Sequence, residues 1–467
     1  MSFVFYDTET TGTHTSFDQI LQFAAIRTDP DLNEVERFDI RCRLLPHIVP
    51  APGAMRVTGV QAARLTDKAL PSHYEMMSAI RKKMLEWSPS TFLGYNSIEF
   101  DEPLLRQSYY KTLHPPYLTN SSGNSRTDVM RAVQAASLFT PGRLAVPDGI
   151  DRKPSFKLDR LAPANGFAHE NAHDALADVE ATIFISRLIS ERCPDVWSSF
   201  MRFSTKAAVV DFVCNEQMFC LADFYFGRSY SWLVTPLLGF TDDAPELYVF
   251  DLGVDPDSLA SLTETKLRAR LTKSPKPVRR IRSNAAPMIF SAEEAPVSAS
   301  GKRLSQEELD RRINALQPDS ELSVRIVAHI EDSKKEWPLS PHVEEQLYSG
   351  FFSKSDEKLL EAFHNLDWAE RLKLVEKLED PRLRLLGRQL IHAERPDVLD
   401  PVSRLEYDRA IALRIAHSDQ NNPWLTLPKA LTEIEALLKS TPSTERSFLV
   451  EHRNHLSQRL KDALAIL

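Results

Sequence analysis

The sequence predicts an α/β protein whose N-terminal part forms a mixed sheet. Three apolar runs with short links, at 3–9, 19–28 and 34–44, come first and are typical of neighbouring antiparallel strands. A capping box at 72–75 then predicts a helix, and a fourth strand at 91–96 runs into another helix. Strands that come first and are followed by alternating helices and strands indicate a mixed α/β sheet.

The bulk properties of the chain exclude several classes of protein. Its 467 residues suffice for about three domains, and its formal net charge of -8 argues against binding nucleic acid through overall charge, though not against a local basic groove. The four cysteines form no CxxC pair and no zinc-type spacing, which is typical of reduced thiols. No apolar run reaches membrane-spanning length and the chain begins directly with a strand. We therefore expect a soluble, cytoplasmic protein without a signal peptide.

Two acidic side chains on the first strand are candidates for chemistry. Side chains alternate along a strand, so Asp7 and Glu9 project to the same side. Adjacent carboxylates repel each other and are costly to bury. A divalent cation removes this penalty, and hard oxygen ligands suit Mg²⁺ or Mn²⁺. The alternative is a strand end whose acids are merely solvated, and the strand alone does not decide between the two interpretations.

Two later stretches supply possible partners for these acids. Asp101 lies just past the fourth strand, where sheet-based active sites collect, with Glu99 and Glu102 as alternative acids. His173 and Asp178 are five residues apart at the start of an apolar helix, so within one helix they would point about 140° apart. Joint action therefore requires His173 on a loop before the helix and Asp178 one turn in, facing the sheet. Considered singly, these residues are more often solvated groups or partners of the helix dipole.

The chain changes character after about residue 200. Short strand candidates separated by turns indicate a β-rich module and lie at 217–222, 231–236, 247–251 and 287–290. A second capping box at 305–308 predicts a helix. After residue 353, apolar residues at helical spacing predict helices, and prolines at 381, 396 and 401 punctuate them.

One segment of the β-rich module is strongly basic. Residues 266–282 contain eight basic residues and no acid. The segment is a candidate track for DNA phosphates, with Arg279, Arg280 and Arg282 as candidate contacts, although a charge run is more often a solvated face. Aromatic residues nearby could stack on unpaired bases, but we expect at least half of them to fill the β core. They are Tyr225, Phe226, Tyr230 and Trp232.

Three motifs considered together resemble the DEDD superfamily of 3′→5′ exonucleases, in its branch with a catalytic histidine. They are Asp7-Thr8-Glu9-Thr10-Thr11-Gly12, the stretch from Asn96 to Asp101, and His173 with Asp178 five residues beyond it. The combination is far more specific than any single motif. Further segments resemble the bacterial exodeoxyribonuclease I family and lie at 128–132, 154–158, 164–166, 171–178 and 347–353.

The resemblance implies a fold in three domains. It implies an RNase-H-like exonuclease domain with a mixed five-stranded sheet at 1–195 and an SH3-like, β-rich DNA-binding domain at 196–350. A C-terminal α-helical domain at 351–467 would complete a C-shaped molecule around single-stranded DNA.

The resemblance also implies roles for the candidate residues. Two divalent ions, Mg²⁺ or Mn²⁺, would clamp the attacking and leaving oxygens of a phosphodiester. Asp7 would bridge both ions, Glu9 and Asp178 would bind one, and Asp101 would bind the other largely through water. His173 would take the proton from the attacking water, since a histidine changes protonation near neutral pH. Glu9 would also contact the terminal 3′ hydroxyl.

Three further residues are implied as substrate contacts. They are Asn96, Ser155 and Lys157. Lys157 stands where the family pattern has an arginine that contacts the nucleotide. Lysine keeps the charge but loses the bidentate fork, so the detailed phosphate contact differs.

The implied activity is 3′→5′ degradation of single-stranded DNA to 5′-mononucleotides, with a role in DNA repair and recombination. The implied partners are single-stranded DNA and the acidic C-terminal tail of single-stranded-DNA-binding protein, and we expect a monomer. One alternative is another DEDD enzyme, such as a proofreading subunit or an RNA-trimming exonuclease, but those are usually compact or carry other appendages. A non-catalytic nucleic-acid clamp is a second alternative. The presence of all five catalytic-type residues argues against it.

Overall fold

The N-terminal part of the chain folds around a mixed five-stranded sheet, as predicted. This computed structural model describes residues 2–149, 152–168, 173–237, 246–294, 304–334, 338–417, 419, 421–443 and 446–467. The strands of the first sheet are β1 (Ser2–Thr10), β2 (Ile20–Thr28), β3 (Glu34–Arg41), β4 (Ser90–Gly94) and β5 (Ser125–Asp128). Their order is β3-β2-β1-β4-β5, with β1–β2 and β2–β3 antiparallel and β1–β4 and β4–β5 parallel. β1 therefore lies at the centre of the sheet.

Helices cover both faces of this sheet. They are α1 (Pro52–Thr58), α2 (Ala62–Leu65), α3 (His73–Glu86), α4 (Asp101–Lys111), α5 (Val129–Phe139), α6 (Leu158–Ala164) and α7 (Ala175–Arg192). Alternation along β1 sends Val4 and Tyr6 into a core with residues of α3 and α4. It sends Phe3 and Phe5 into a second core with residues of α5 and α7. Because the acids of the first motif continue this second set of odd-numbered residues, their side chains point toward the α7 face.

Capping residues fix where the important helices begin. Ser72 accepts a hydrogen bond from the Glu75 N–H, and the Glu75 side chain accepts one from the Ser72 N–H, which confirms the predicted capping box. Asp128 caps α5 and Asp174 caps α7, each by accepting the backbone N–H two residues further on. Asp174 thereby starts α7 so that Asp178 falls in its first turn.

A second sheet confirms the predicted β-rich module. Its strands are β6 (Phe219–Tyr225), β7 (Arg228–Pro236), β8 (Glu246–Asp251), β9 (Val278–Arg282) and β10 (Met288–Ser291). They pair antiparallel in the order β10-β6-β7-β8-β9. Four of these strands were predicted, whereas β9 lies inside the basic segment 266–282 and was not. The SH3-like architecture of this module stays a prediction.

The second sheet is attached directly to the first part of the chain. Side chains of β6 and β10 join the core that α5 and α7 share. Arg126 and Arg131 donate hydrogen bonds to the carbonyls of Asn284 and Ala285, between β9 and β10. Helices surround this sheet on the remaining sides: α8 (Pro194–Arg202), α9 (Lys206–Asn215), α10 (Asp257–Ala260), α11 (Glu264–Thr272), α12 (Gln306–Asn314) and α13 (Glu321–Asp332).

The last part of the described chain is helical, as predicted. It contains α14 (Lys354–Phe363), α15 (Trp368–Val375), α16 (Pro381–Glu394), α17 (Pro401–Ala416), α18 (Leu427–Ser440) and α19 (Arg446–Ile466). Asp380 and Asp400 cap α16 and α17, each directly before a proline at the first helical position. Tyr74 and Tyr110 share a core with α14, α15 and α16, so these helices pack against the N-terminal part. Within the described ranges, none of the helices combines the length and apolar character needed to span a membrane.

Candidate active site

An acidic cluster lies where β1 meets α7. It consists of Asp7 and Glu9 from β1 and Asp178 from α7, each with a carboxylate oxygen within 4.8 Å of the others. Glu9 is buried, with 8% of its surface exposed, and the other two acids are half-buried. Among the residues that the structure describes, no other group of three or more His, Cys, Asp and Glu side chains has such spacing. Three acids named from the sequence therefore meet in one place.

Small side chains allow α7 to approach β1 closely. Ala175 and Ala181 are fully buried in the core that α7 shares with the sheet. Because interiors are close-packed, an alanine at such a position lets the helix lie nearer to the strand than a larger residue would. The short side chain of Asp178 can then reach the carboxylates of β1.

The cluster is electrostatically unfavourable without a cation. Burial, together with the charges of Asp101, Asp178 and Glu9, raises the pKa of Asp7 well above its usual range. Burial, together with Asp178 and Asp101, raises the pKa of Glu9 to about 9, and Arg41 opposes this shift. A group of carboxylates that resists ionisation in its own protein is strongly stabilised by a bound divalent ion, which replaces the protons.

Asp101 lies outside the group of three acids, but its charge acts on Asp7 and Glu9. It is buried, and its Oδ1 accepts a hydrogen bond of 2.5 Å from the hydroxyl of Thr8. Burial raises the pKa of Asp101 to about 7, against the hydrogen bond from Thr8, which lowers it. Of the alternative acids, Glu99 is exposed and pairs with Arg131. Asp101 is thus the acid of this stretch whose charge acts on the cluster.

His173 occupies the position that joint action with Asp178 requires. It precedes the helix-capping residue of α7, its side chain is exposed, and its backbone φ is +70°. A non-glycine residue in this left-handed region is uncommon and carries strain. The His173 N–H donates to Oδ1 of Asp178 over 3.4 Å, so the backbone of the loop is tied to the acidic cluster while the imidazole remains in solvent.

The three candidate substrate contacts lie on loops and helix starts. Asn96 follows β4, is exposed, and has a φ of +61°, with its N–H bound to Oδ1 of Asp128. Ser155 is buried, whereas Lys157 is exposed and stands immediately before α6. The structure places these residues on two segments other than β1 and α7: Asn96 follows β4, and Ser155 and Lys157 precede α6. Their contacts with a substrate stay a prediction.

The basic segment is more structured than the sequence indicated. Arg279 lies on β9, with its guanidinium 3.4 Å from the ring centroid of Trp232 and 3.3 Å from Asp251. Arg280 pairs with Glu246 at 2.8 Å, and Arg282 lies 4.0 Å from Glu99. The segment is therefore not a free cationic run. It contains a helix and a strand: Arg268 and the three arginines of the strand have acidic neighbours, whereas Arg270 donates to backbone carbonyls. Pairing of β9 with β8 fixes the direction of the strand's arginines.

The expectation that at least half of the nearby aromatic residues fill the core was wrong. Tyr225, Phe226 and Tyr230 are 46%, 90% and 37% exposed, and only Trp232 is half-buried against the core of the second sheet. Tyr230 stacks on Trp232 with an angle of 13° between the rings. Tyr225 and Tyr230 lie on the face of β6 and β7 where Arg279 also lies, whereas Phe226 lies in the turn between these strands.

These side chains line a groove between the second sheet and the N-terminal part. Its volume is about 1110 Å³. Tyr225, Tyr230, Arg279 and Arg280 come from the second sheet, and Arg131 of α5 lines the opposite wall. The groove thus combines aromatic faces with positive charge, as single-stranded nucleic acid requires.

Comparisons with known proteins agree with this geometry. The family described as "Exonuclease" matches residues 4–185, and the family described as "Exonuclease I C-terminal domain" matches residues 341–458. Exodeoxyribonuclease I of Escherichia coli K12 is 31% identical over 372 residues, which cover 76% of this chain and 77% of that protein. Exodeoxyribonuclease I of Haemophilus influenzae is 30% identical over 468 residues, covering 92% and 98% of the two chains. The chain belongs to the exodeoxyribonuclease I family.

Solved structures of Exonuclease I share the fold over the whole chain. The E. coli enzyme in complex with a dA16 oligonucleotide has a TM-score of 0.83 and 25% identity, with 100% of both chains covered. A moderately thermophilic Exonuclease I from Methylocaldum szegediense also has a TM-score of 0.83 and 25% identity, with 98% and 99% covered. As an exodeoxyribonuclease, the protein is a hydrolytic 3′→5′ exonuclease, and the family depends on divalent metal ions.

The residues present fit a divalent metal ion. Three carboxylates converge within 4.8 Å, and carboxylate oxygens are the hard ligands that Mg²⁺ and Mn²⁺ prefer. The raised pKa values of Asp7 and Glu9 indicate that these carboxyl groups do not all ionise unless a cation neutralises their charge. This chain therefore has a donor set suited to the metal dependence of its family.

Sequence reasoning missed two residues at the edge of this site. Asp174 caps α7, accepts a hydrogen bond of 2.5 Å from Arg41, and acts on the charges of Asp7 and Glu9. Asp174 lies inside the third motif, next to His173, so its place in the sequence could have indicated that it lies near the site. Arg41 comes from β3, and only the pairing of β3 in the sheet reveals that it approaches α7.

Proposed function

We propose that the protein removes 5′-mononucleotides one at a time from the 3′ end of single-stranded DNA, in DNA repair and recombination. The acidic cluster of Asp7, Glu9 and Asp178 is the observation that carries this proposal. Support for the substrate comes from E. coli Exonuclease I, which shares the whole fold and has been solved with dA16 and dT13 oligonucleotides. The groove of exposed aromatic rings and arginines suits unpaired bases.

The acids of the cluster would hold two Mg²⁺ ions, with Mn²⁺ as a possible substitute. In this proposal Asp7 contacts both ions, Glu9 and Asp178 contact one, and Asp101 serves the other largely through water. When bound, the ions supply charge neutralisation for the phosphate and a more acidic water molecule. The choice of Mg²⁺ rests on the hard oxygen donors and on their number.

His173 would act as the general base for the attacking water. The water oxygen forms a bond with phosphorus, the bond from phosphorus to the 3′ oxygen of the preceding nucleotide breaks, and the proton of the water passes to the imidazole. Its position on an exposed loop tied to Asp178 supports this role, since the ring can turn toward the cluster once substrate is bound.

Other side chains would hold the terminal nucleotide. Glu9 would accept a hydrogen bond from the terminal 3′ hydroxyl, and Asn96, Ser155 and Lys157 would contact the nucleotide. Lys157 is exposed at the start of α6, where its ammonium can act as a point charge for phosphate.

The DNA upstream of the cleaved nucleotide would run along the groove. Arg279, Arg280 and Arg282 would contact phosphates there. Because each has an acidic neighbour at 2.8–4.0 Å, binding would exchange an internal ion pair for a phosphate pair. Such an exchange limits the net affinity that each arginine contributes.

We further propose a monomer that binds the acidic C-terminal tail of single-stranded-DNA-binding protein. Membership of the exodeoxyribonuclease I family supports the partner. Sedimentation of the purified chain would test whether it is a monomer. Binding of a labelled peptide with that acidic tail, compared with a charge-reversed peptide, would test the interaction with the partner.

Digestion of labelled substrates tests the main proposal. Oligonucleotides labelled at the 5′ end would be supplied as single-stranded DNA, blunt duplex DNA and RNA, each with Mg²⁺ or with a chelator. We expect a ladder shortening from the 3′ end on single-stranded DNA, 5′-mononucleotides as products, and no reaction with chelator. Equal digestion of RNA, or release from the 5′ end, would contradict the proposal.

A further inference from the structure

A buried carboxylate joins β1 and α4, two of the three elements that carry the candidate catalytic acids. The side chain of Glu102, the second residue of α4, is only 2% exposed. It accepts hydrogen bonds from the hydroxyls of Tyr6 at 3.0 Å and Thr119 at 2.5 Å. The guanidinium groups of Arg106, at 2.8 Å, and Arg126 also donate to it. This network satisfies a buried charge that would otherwise be very costly.

The network matches the alternation of side chains along β1. Asp7 and Glu9 point to one face, and Tyr6 and Thr8 point to the other. On that other face, the Tyr6 hydroxyl binds Glu102 and the Thr8 hydroxyl binds Asp101. Two residues of β1 thus bind two consecutive residues of α4. A rotation or slide of α4 would break both bonds together.

We propose that Tyr6 and Glu102 are positioning residues that fix the first turn of α4 so that Asp101 acts with the acidic cluster. The inference rests on the proposed function and adds residues to it. Neither residue is in the group of three acids, and the Tyr6 side chain lies on the opposite face of β1. They act through α4, because losing the Tyr6–Glu102 bond frees the helix turn that presents Asp101.

The Mg²⁺ dependence of the reaction rate distinguishes a positioning role from a contribution to stability alone. Any buried hydroxyl contributes to stability, so its removal lowers the thermal midpoint whether or not the site is affected. Displacing one carboxylate of a metal site by even a fraction of an ångström weakens the use of the ion and slows the reaction. The expected signature is a lower kcat and a higher Mg²⁺ requirement, with an unchanged KM for DNA.

Tyr6→Phe is the test variant and Tyr110→Phe is its matched control. Tyr6→Phe removes the hydroxyl and keeps the ring that packs on Phe23 and Phe92. Tyr110 is equally buried, on α4 itself, and its hydroxyl donates to the carbonyl of Val343 over 3.2 Å, away from Glu102. Both variants delete one buried, hydrogen-bonded hydroxyl from the contacts of α4.

In Tyr6→Phe we expect kcat to fall about tenfold and the half-saturating Mg²⁺ concentration to rise severalfold, with KM for a single-stranded oligonucleotide within about twofold. In Tyr110→Phe these three quantities should stay at their wild-type values, although both thermal midpoints fall by a similar amount. Glu102→Gln, which keeps the side-chain size, should lower kcat further. If it does not fold, the tyrosine pair still decides the question.

Two results would overturn different statements. Equal kcat and equal Mg²⁺ requirement in the two tyrosine variants, beside an active wild type, would remove the positioning role. A wild type that releases no nucleotides with Mg²⁺ would overturn the proposed function itself.

Discussion

The hydroxyl of Thr8 donates a hydrogen bond of 2.5 Å to Oδ1 of Asp101, from the face of β1 opposite to Asp7 and Glu9. This bond favours the ionised form of Asp101, whose pKa burial otherwise raises to about 7. The candidate site therefore depends on a neutral residue to keep one of its acids charged near neutral pH.

Thr8→Val should raise the pKa of Asp101 above its present value of about 7, because a hydrogen bond to the charged form is lost. At low Mg²⁺ the acidic limb of the activity profile should move up by about half a pH unit or more, and activity should recover at alkaline pH. The measurement is initial rate against pH. Thr8→Ser, which keeps the hydroxyl, is the control, and a shift of equal size in that variant would contradict the explanation.

Removal of one cluster carboxylate should abolish cleavage without unfolding the protein. Asp7→Asn and Asp178→Asn are expected to lower kcat by at least about a thousandfold, since each acid is a proposed metal ligand. In chelator, Asp7→Asn should melt a few degrees higher than the wild type, because asparagine removes the free-energy cost of keeping a carboxyl group in a site that strongly raises its pKa. Single-turnover digestion measures the loss of cleavage, and thermal unfolding measures the change in the thermal midpoint. A lower midpoint in chelator would argue against electrostatic strain.

The pH dependence of stability should report Glu9. The pKa of Glu9 is about 9 in the folded protein, whereas the ordinary value is 4.5. The folded state therefore holds the proton more tightly than the unfolded state does. The stability from this proton is fully present below pH 4.5 and is lost as pH rises through about 9. Glu9→Gln cannot lose a proton.

In chelator, the wild type should therefore become less stable than Glu9→Gln as pH rises from 5 to 9. The divergence should be on the order of 1 kcal/mol per pH unit at most. Denaturant unfolding at several pH values measures it, and saturating Mg²⁺ should abolish it. Parallel curves for the two proteins would show that Glu9 titrates normally.

His173→Ala should slow the reaction and leave binding almost intact. Loss of a general base typically costs about a hundredfold or more in rate, while the exposed ring contributes no packing. Single-turnover rates and the affinity for a labelled oligonucleotide in Ca²⁺ would be compared with the wild type. Near wild-type turnover in His173→Ala would refute the general-base role.

The arginines of β9 should contribute to the salt dependence of DNA binding. Arg280→Gln with Arg282→Gln removes two proposed phosphate contacts, so the slope of log affinity against log salt should flatten by about 1.4. Arg268→Gln with Arg270→Gln is the control, since it removes the same charge from α11 in the same basic segment. Equal slopes for the two double variants would remove β9 from the DNA path.

The sequence predicted the elements with strong patterns and missed those without them. β1 and β2 follow from runs of apolar residues, and the capping box at Ser72 follows from local hydrogen bonding. β5 has the sequence Ser-Arg-Thr-Asp, and no apolar residue marks it, yet all four residues are buried. Burial of Arg126 is possible because Glu102 pairs with it, a long-range contact that no local pattern reveals.

The candidate site was predicted more fully than the groove. The motifs name Asp7, Glu9 and Asp178, and strand alternation explains why the first two face α7. The sequence gives no measure of distance, so the bond that turns Asp101 toward Thr8 was not foreseen. In the basic segment, composition suggested a solvated run or a free track. Pairing with β8 made part of it an edge strand instead, and the tyrosines on β6 and β7 are exposed.

Arg126 divides its guanidinium between Glu102 and the carbonyl of Asn284, and Arg131 divides its own between Glu99 and the carbonyl of Ala285. Severing the chain after residue 195 would leave both groups half unsatisfied, one of them inside the protein. The sheet that would guide the strand therefore also holds two arginines of the part of the chain that carries the hydrolytic centre.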